Sequence, residues 1–352
     1  MTERTLYVGT YTHRDSEGIY IYRFDTVSGS LRREAVCAGL DSPSFLALHP
    51  GGQVLYAVHE SEEAGQVSSF AIDSRSGGLT FLNRQPTHGS SPCHLAVEPG
   101  GNTLVVANYY SGNVAVYPLD ADGIIGDPVQ DIQHHGSGPN KERQEAAHAH
   151  SATVSPDGDR VYVADLGIDK VMIYRIVDGQ MEANDPDHTP LHAGAGPRHF
   201  DFHPNGRLAY VINELDLTVT ACAYDGESGG LTPIQTLSTL PEDVQDRSGF
   251  SCADIHVSGD GRFVYGSNRG HDTIAIFAVD DGSGRLTSVG HASTRGRTPR
   301  NFTLDPTGAW LLAANQDSDD IGVFGRDIDT GQLTPRGEMV WAPMPVCLLF
   351  GP

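Results

Sequence analysis

Six glycines, Gly52, Gly101, Gly158, Gly206, Gly261 and Gly308, recur at intervals of 47–57 residues, each between two short apolar stretches. Phe45-Leu46-Ala47-Leu48-His49-Pro50 leads into Gly52, and Leu55-Tyr56-Ala57-Val58 leaves it. His94-Leu95-Ala96-Val97-Glu98-Pro99 and Leu104-Val105-Val106-Ala107 flank Gly101 in the same way. A third strand-like stretch follows, such as Val114-Ala115-Val116-Tyr117 or Ile274-Ala275-Ile276-Phe277. Short apolar strands at a period of roughly 40–50 residues are the pattern of propeller blades. The fold class expected is therefore all-β, a β-propeller.

A seventh unit is divided between the ends of the chain. Leu6-Tyr7-Val8-Gly9-Thr10-Tyr11 reads as the second strand of a blade and Gly18-Ile19-Tyr20-Ile21-Tyr22 as the third. Pro345-Val346-Cys347-Leu348-Leu349-Phe350 supplies the missing first strand and aligns with Pro43-Ser44-Phe45-Leu46-Ala47-Leu48. Closing a ring this way leaves no open sheet edge to seed aggregation. The expectation is seven blades in one domain, residues 1–352, with both termini in one blade. The stretches at about 121–147 and 237–250 read as surface loops. Gly 41 and Pro 21 suit a turn-rich all-β chain.

A formal net charge of −22 argues against nucleic acid and against anionic membranes as partners, since both require basic patches. The five cysteines form no C-x-x-C, and Cys93 and Cys347 fall inside strand patterns as buried thiols. Met1-Thr2-Glu3-Arg4 runs directly into a strand, so no signal peptide is expected, and no apolar run reaches spanning length. The expected setting is cytoplasmic. A Gly-x-Ser-x-Gly elbow is absent, Gly194-Ala195-Gly196 is not a dinucleotide fingerprint, and no Trp-Asp pair occurs. Asp120-Ala121-Asp122-Gly123 lacks the later positions of a calcium loop and reads as an acidic turn. His134, His135, His148 and His150 have no metal-ligand spacing and read as a polar loop at a channel mouth. No metal and no cofactor are expected.

If residues equidistant from each glycine face one another, Arg198 opposes Glu214. The same count pairs Ser44 with Glu60, Cys93 with Tyr109, His150 with Leu166, Ala253 with Arg269, Arg300 with Gln316, and Val346 with Tyr11. The first strand of each blade lines the axis. Tyr11, Glu60, Tyr109, His150, Arg198, Glu214, Arg269, Arg300 and Gln316 then ring one mouth of the channel, with His94, His199, Asp254 and Asn301 one residue further along. Such a layer could be inter-blade ion pairs and channel water. It could equally bind an anion and move a proton, as convergent titratable groups in a concave site often do.

These residues carry a resemblance. Tyr7-Val8-Gly9-Thr10-Tyr11-Thr12, His148-Ala149-His150-Ser151, Ala164-Asp165-Leu166-Gly167, Gly196-Pro197-Arg198-His199, Asn213-Glu214-Leu215, Ala253-Asp254-Ile255-His256, Ser267-Asn268-Arg269-Gly270, Pro299-Arg300-Asn301-Phe302 and Ala314-Asn315-Gln316 span nearly the whole chain. Together they resemble the lactonase group of seven-bladed propellers, which includes propeller-type 6-phosphogluconolactonases and carboxymuconate cyclase. The resemblance implies an active site of His150, Arg198, Glu214 and Arg269. It implies hydrolysis of an anionic lactone, foremost 6-phosphogluconolactone; with no activated serine or cysteine evident in the sequence, direct water attack is the simpler route. His150 or Glu214 would be the base and Arg198 and Arg269 would stabilise the oxyanion. Arg300, with His199, Tyr11, Glu60, Tyr109 and Gln316, would bind substrate, Arg300 being a candidate for the phosphate. A muconolactone-type cyclase and a non-catalytic sugar- or protein-binding propeller are the alternatives.

Overall fold

The computed structural model describes residues 2–352. Each glycine pivot sits in the left-handed region, with φ between 66° and 82°, a conformation that costs a residue with a Cβ free energy. Its N–H closes the turn on the carbonyl three residues back, as in Gly206 N to His203 O at 3.0 Å. The flanking apolar stretches pair as antiparallel strands.

Among the described residues twenty-eight strands result, in seven four-stranded sheets. The chain enters with β1 (Glu3–Thr10), β2 (Gly18–Asp25) and β3 (Leu31–Ala38). Blade 1 holds β4 (Leu46–Leu48), β5 (Val54–His59), β6 (Gln66–Ile72) and β7 (Leu79–Pro86). Blade 2 holds β8 (Pro92–Val97), β9 (Thr103–Asn108), β10 (Asn113–Pro118) and β11 (Gln130–Gln133). Blade 3 is β12 (Ala149–Val154), β13 (Arg160–Asp165), β14 (Lys170–Val177) and β15 (Gln180–Pro190). Blade 4 is β16 (Pro197–Phe202), β17 (Leu208–Asn213), β18 (Thr218–Tyr224) and β19 (Leu231–Ser238). Blade 5 is β20 (Ser251–Val257), β21 (Phe263–Arg269), β22 (Thr273–Val279) and β23 (Leu286–Ser293). Blade 6 is β24 (Pro299–Leu304), β25 (Trp310–Asn315), β26 (Asp320–Arg326) and β27 (Leu333–Trp341). β28 (Pro345–Phe350) pairs with β1, and blade 7 has the order β28-β1-β2-β3. The chain is thus a seven-bladed β-propeller with the expected split blade. Among the described residues no helix is long and apolar enough to cross a membrane.

One expectation is corrected here. The stretch 121–147 is not wholly a loop: Gln130–Gln133 forms β11, the outer strand of blade 2, paired with β10. Its alternating half-buried and exposed residues carry one apolar side chain, Ile132, too weak a pattern to read.

The innermost strands touch their neighbours around the ring, β4 against β8 and β28, β12 against β8 and β16, β20 against β16 and β24. A separate apolar cluster fills each blade interface, such as Tyr210, Ile212, Val264 and Phe277 between blades 4 and 5. Tyrosines of the second strands latch adjacent blades: Tyr7, Tyr56, Tyr162, Tyr210 and Tyr265 each donate to a glycine carbonyl in the outer hairpin of the next blade. Trp310 Nε1 plays that part toward Thr26 O at 2.9 Å. Each latch adds about 0.5–1.5 kcal/mol to burial of the ring. The result is a rigid annulus whose polar residues collect at the ends of the inner strands.

Candidate active site

The hairpins do not pair symmetrically about their glycines. His203 N donates to Leu208 O, so the turn is centred just before Gly206. Further along, Pro197 faces Asn213 while His199 faces Ile212, and Arg198 is left over as a β-bulge. The same irregularity falls at Cys93, His150, Arg300 and Val346. The pairs expected from equal spacing are therefore displaced by one or two residues. Arg269, for example, faces Ser251 rather than Ala253. A bulge re-aims its side chain and is frequent beside active sites. Here bulges bring Cys93, His150 and Arg300 to one mouth of the channel.

That mouth holds a cavity of about 350 Å³. Of the residues expected there, Tyr11, Glu60, Tyr109, His150, Glu214, Arg269 and Arg300 line it. Three do not. Arg198 lies directly behind Glu214 with its side chain 2% exposed. His199 sits a layer deeper, in a separate chamber of about 90 Å³. Gln316 turns aside to Asp317, with Nε2 to Oδ1 at 3.2 Å. Arg198, the bulged residue, is held behind Glu214 by its ion pair, and His199, next to the bulge, points to the deeper chamber.

Glu214 anchors the cavity. Its Oε2 accepts from Arg198 Nε at 3.0 Å and faces Arg269 Nη2 at 2.9 Å. Its Oε1 accepts from Arg143 Nη2 at 2.5 Å. Burial pushes the carboxyl upward, but Arg269, Arg198 and Arg143 outweigh it and hold Glu214 far below the usual carboxylate range. A carboxylate so saturated is a poor proton acceptor.

His150 is different. Its burial, with Arg198, His199 and Arg300 nearby, drops it well below an ordinary histidine, so it is neutral at pH 7. Nδ1 lies 3.8 Å from Cys93 Sγ, and the ring meets Tyr109 edge-on at 5.4 Å. Burial pushes the Cys93 thiol up, so it stays protonated. At neutral pH the His150 imidazole is therefore unprotonated at the cavity wall.

Arg300 is the least committed cation. Tyr11 Oη donates to both oxygens of Glu60 at 2.9 Å. Arg300 stacks over the Tyr11 ring at 5.2 Å and approaches Glu60 Oε1 only at 4.0 Å. Its donors face the cavity with no close protein acceptor. Arg269, by contrast, is tied to Cys252 O at 2.8 Å as well as to Glu214.

Sequence reasoning missed Arg143. It comes from the connection between blades 2 and 3, with its side chain 42% exposed, and also reaches Tyr109 Oη at 3.2 Å. An irregular connection has no periodicity from which to place it. His148 also lines the cavity, stacked on Tyr109 at 4.7 Å and bonded to Glu145. His134 lies elsewhere, buried against Asp165 and Tyr174 rather than at the mouth. Among the described residues no three His, Cys, Asp or Glu side chains form a metal-holding group.

Fold and site together define a class: a propeller that gathers guanidinium groups, carboxylates and histidines around a cavity at one mouth of its channel, suited to an anionic ligand. The chain belongs to the lactonase family of seven-bladed β-propellers, whose model matches residues 5–350. It is 42% identical over 351 residues to a Bacillus subtilis 6-phosphogluconolactonase, covering 99% of each chain. A Formosa agariphila 6-phosphogluconolactonase is 36% identical, over 93% of this chain and 94% of that one. The solved periplasmic gluconolactonase PpgL of Pseudomonas aeruginosa superposes with a TM-score of 0.94 at 36% identity, covering 99% of both chains.

Proposed function

We propose that this chain is a lactone hydrolase acting on 6-phospho-glucono-1,5-lactone, with His150 as general base. The observation that carries this reading is the contrast inside one cavity: Glu214 is saturated by three guanidinium groups, while His150 is neutral and Arg300 uncommitted. Full-length relatedness to two 6-phosphogluconolactonases supports the substrate.

In the proposed reaction a cavity water attacks the lactone carbonyl carbon and gives its proton to His150. The carbonyl π pair moves to oxygen, and Arg269 stabilises that oxyanion, with Arg143 beside it. Collapse breaks the bond to the ring oxygen, which takes the proton from His150. The products are an open-chain hydroxyl and a carboxylic acid, which ionises. Arg300 holds the phosphate, its donors being the least engaged by protein acceptors. Glu214 fixes the guanidinium groups rather than moving a proton.

The test is parallel turnover of fresh 6-phosphogluconolactone, gluconolactone and carboxymuconate by the purified protein. Faster hydrolysis of the phosphorylated lactone supports the reading. Conversion of carboxymuconate alone replaces it with the cyclase. For location we propose the cytoplasm, because all five cysteines are free, a state an oxidising compartment disfavours. Cell fractionation tests it.

A further inference from the structure

Below the cavity the channel holds a second polar cluster centred on Asp254 of β20, which is 2% exposed. Its Oδ1 accepts from His199 Nδ1 at 2.7 Å and Ile255 N at 3.0 Å. Its Oδ2 accepts from Asn301 Nδ2 at 2.6 Å, His256 Nε2 at 3.1 Å and Phe302 N at 3.2 Å. Five donors converge on one buried carboxylate.

This convergence dictates the state of His199. An ionised carboxylate only accepts, so Nδ1 of His199 carries the hydrogen. Burial and Arg198 pull His199 down to about 4, so the ring is neutral. Nε2 is then a lone pair, and it faces Arg198 Nη1 at 3.1 Å. Arg198 Nη1 also donates to Ala253 O at 2.6 Å, and Nε donates to Glu214 Oε2 at 3.0 Å. Glu214 Oε2 in turn faces Arg269 Nη2 at 2.9 Å. An unbroken hydrogen-bonded line thus runs from Asp254 through His199 and Arg198 to the cavity wall. The other tautomer of His199 would set an N–H against the N–H groups of Arg198.

We propose that Asp254 and His199 are positioning residues for the lactone hydrolysis inferred above, holding Arg198 against Glu214 and so fixing where Glu214 and Arg269 stand in the cavity. Neither touches the cavity, so neither binds substrate. The inference rests on the hydrolase reading for its kinetic consequence, but its structural content, one tautomer imposed through one relay, stands apart from the substrate.

The experiment measures kcat and KM for Asp254→Asn, His199→Phe, His199→Gln, Arg198→Met and the double variant Arg198→Met/Asp254→Asn. Asp254→Asn and His199→Phe should each lower kcat about 10–100-fold, the scale seen when hydrogen-bond partners that orient metal-ligating side chains are removed. KM should move by less than about threefold, because no substrate contact is lost. His199→Gln keeps one N–H and one acceptor and should recover most of the lost kcat. In the Arg198→Met background Asp254→Asn should cost clearly less kcat than in the wild type, since the relay through Arg198 is gone and His199 keeps only its edge contact with the His150 ring at 5.5 Å. An equal loss in both backgrounds, or wild-type kcat in folded Asp254→Asn, overturns the proposal. If Asp254→Asn does not fold, the comparison of His199→Phe with His199→Gln decides, and equal activity of the two overturns it. Nitrogen NMR of His199 in the wild type should show the Nδ1–H tautomer at neutral pH. Finding Nε2–H or an imidazolium rejects the relay whatever the substrate proves to be.

Discussion

With Arg300 as the proposed phosphate ligand, its replacement by Gln should separate recognition of the phosphate from chemistry on the lactone. Within the protein Arg300 has little to lose: a 4.0 Å approach to Glu60 and a place over the Tyr11 ring at 5.2 Å. The Tyr11–Glu60 bonds at 2.9 Å survive its removal. A long, partly exposed ion pair and one cation–π contact together contribute about 1 kcal/mol or less. Toward a phosphate, however, its unspent donors can make charge-assisted bonds worth about 1.5–3 kcal/mol. At about 1.36 kcal/mol per decade, this is a loss of about 10–150-fold in kcat/KM. The assay compares wild type and Arg300→Gln on 6-phosphogluconolactone and on unphosphorylated gluconolactone, with thermal unfolding as the control. The phosphorylated substrate should lose the full factor and the unphosphorylated one less than about threefold. Equal losses on both would place Arg300 on the lactone itself and refute the reasoning. No loss on either would return it to a structural role.

Other expectations follow from the same geometry. His150→Gln should lower kcat by about 10²–10⁴-fold with little change in unfolding temperature, as loss of a general base does; a rate near wild type by initial-velocity assay would remove His150 from the mechanism. Glu214→Gln leaves Arg143, Arg198 and Arg269 crowded without their carboxylate, so calorimetry should show a loss of about 3–5 kcal/mol, the cost of breaking a buried pair. In pH titration, kcat/KM should stay level as pH falls through 6.5, because the folded His150 is held well below that ordinary value. Stability has the opposite sensitivity. Below 6.5 the unfolded chain takes up a proton at His150 that the fold excludes, and below 4.5 Glu214 likewise takes up a proton in the unfolded chain first. Both groups contribute stability that is present above those values and lost as pH falls, which denaturant titrations at pH 7.5, 5.5 and 4 would reveal, a flat profile being the contrary result. Deleting residues 343–352 removes β28 and strips β1 of its inner partner; the truncated chain should be insoluble, and a cooperative unfolding transition at the wild-type temperature would contradict the split-blade account.

The architecture was legible because its determinants are local. A glycine with positive φ and the apolar runs beside it mark each hairpin within about a dozen residues, so Gly52 to Gly308 and the split Pro345–Phe350 unit can be read without tertiary information. β11 could not, because an outer strand such as Gln130–Gln133 packs against one neighbour and needs almost no apolar pattern. The site was partly legible. Counting from the glycines put His150, Glu214, Arg269 and Arg300 together, and they line one cavity. It could not register the bulges, and one inserted residue sends Arg198 behind Glu214 and His199 to the layer beneath. Arg143 was invisible for another reason. Its place beside Glu214 depends on how the connection between blades 2 and 3 folds back over the channel, through turn bonds to Asn140.

The central claim is that a neutral imidazole and a set of guanidinium groups hydrolyse a phosphorylated lactone without a metal ion. Its most direct test is a pH-stat measurement of proton release from freshly prepared 6-phosphogluconolactone, with wild type, His150→Gln and a no-enzyme control, each with and without EDTA. The account predicts release well above the spontaneous rate for wild type, unchanged by EDTA, and release near the spontaneous rate for His150→Gln. Wild-type release no faster than the control, or activity abolished by EDTA, would contradict it.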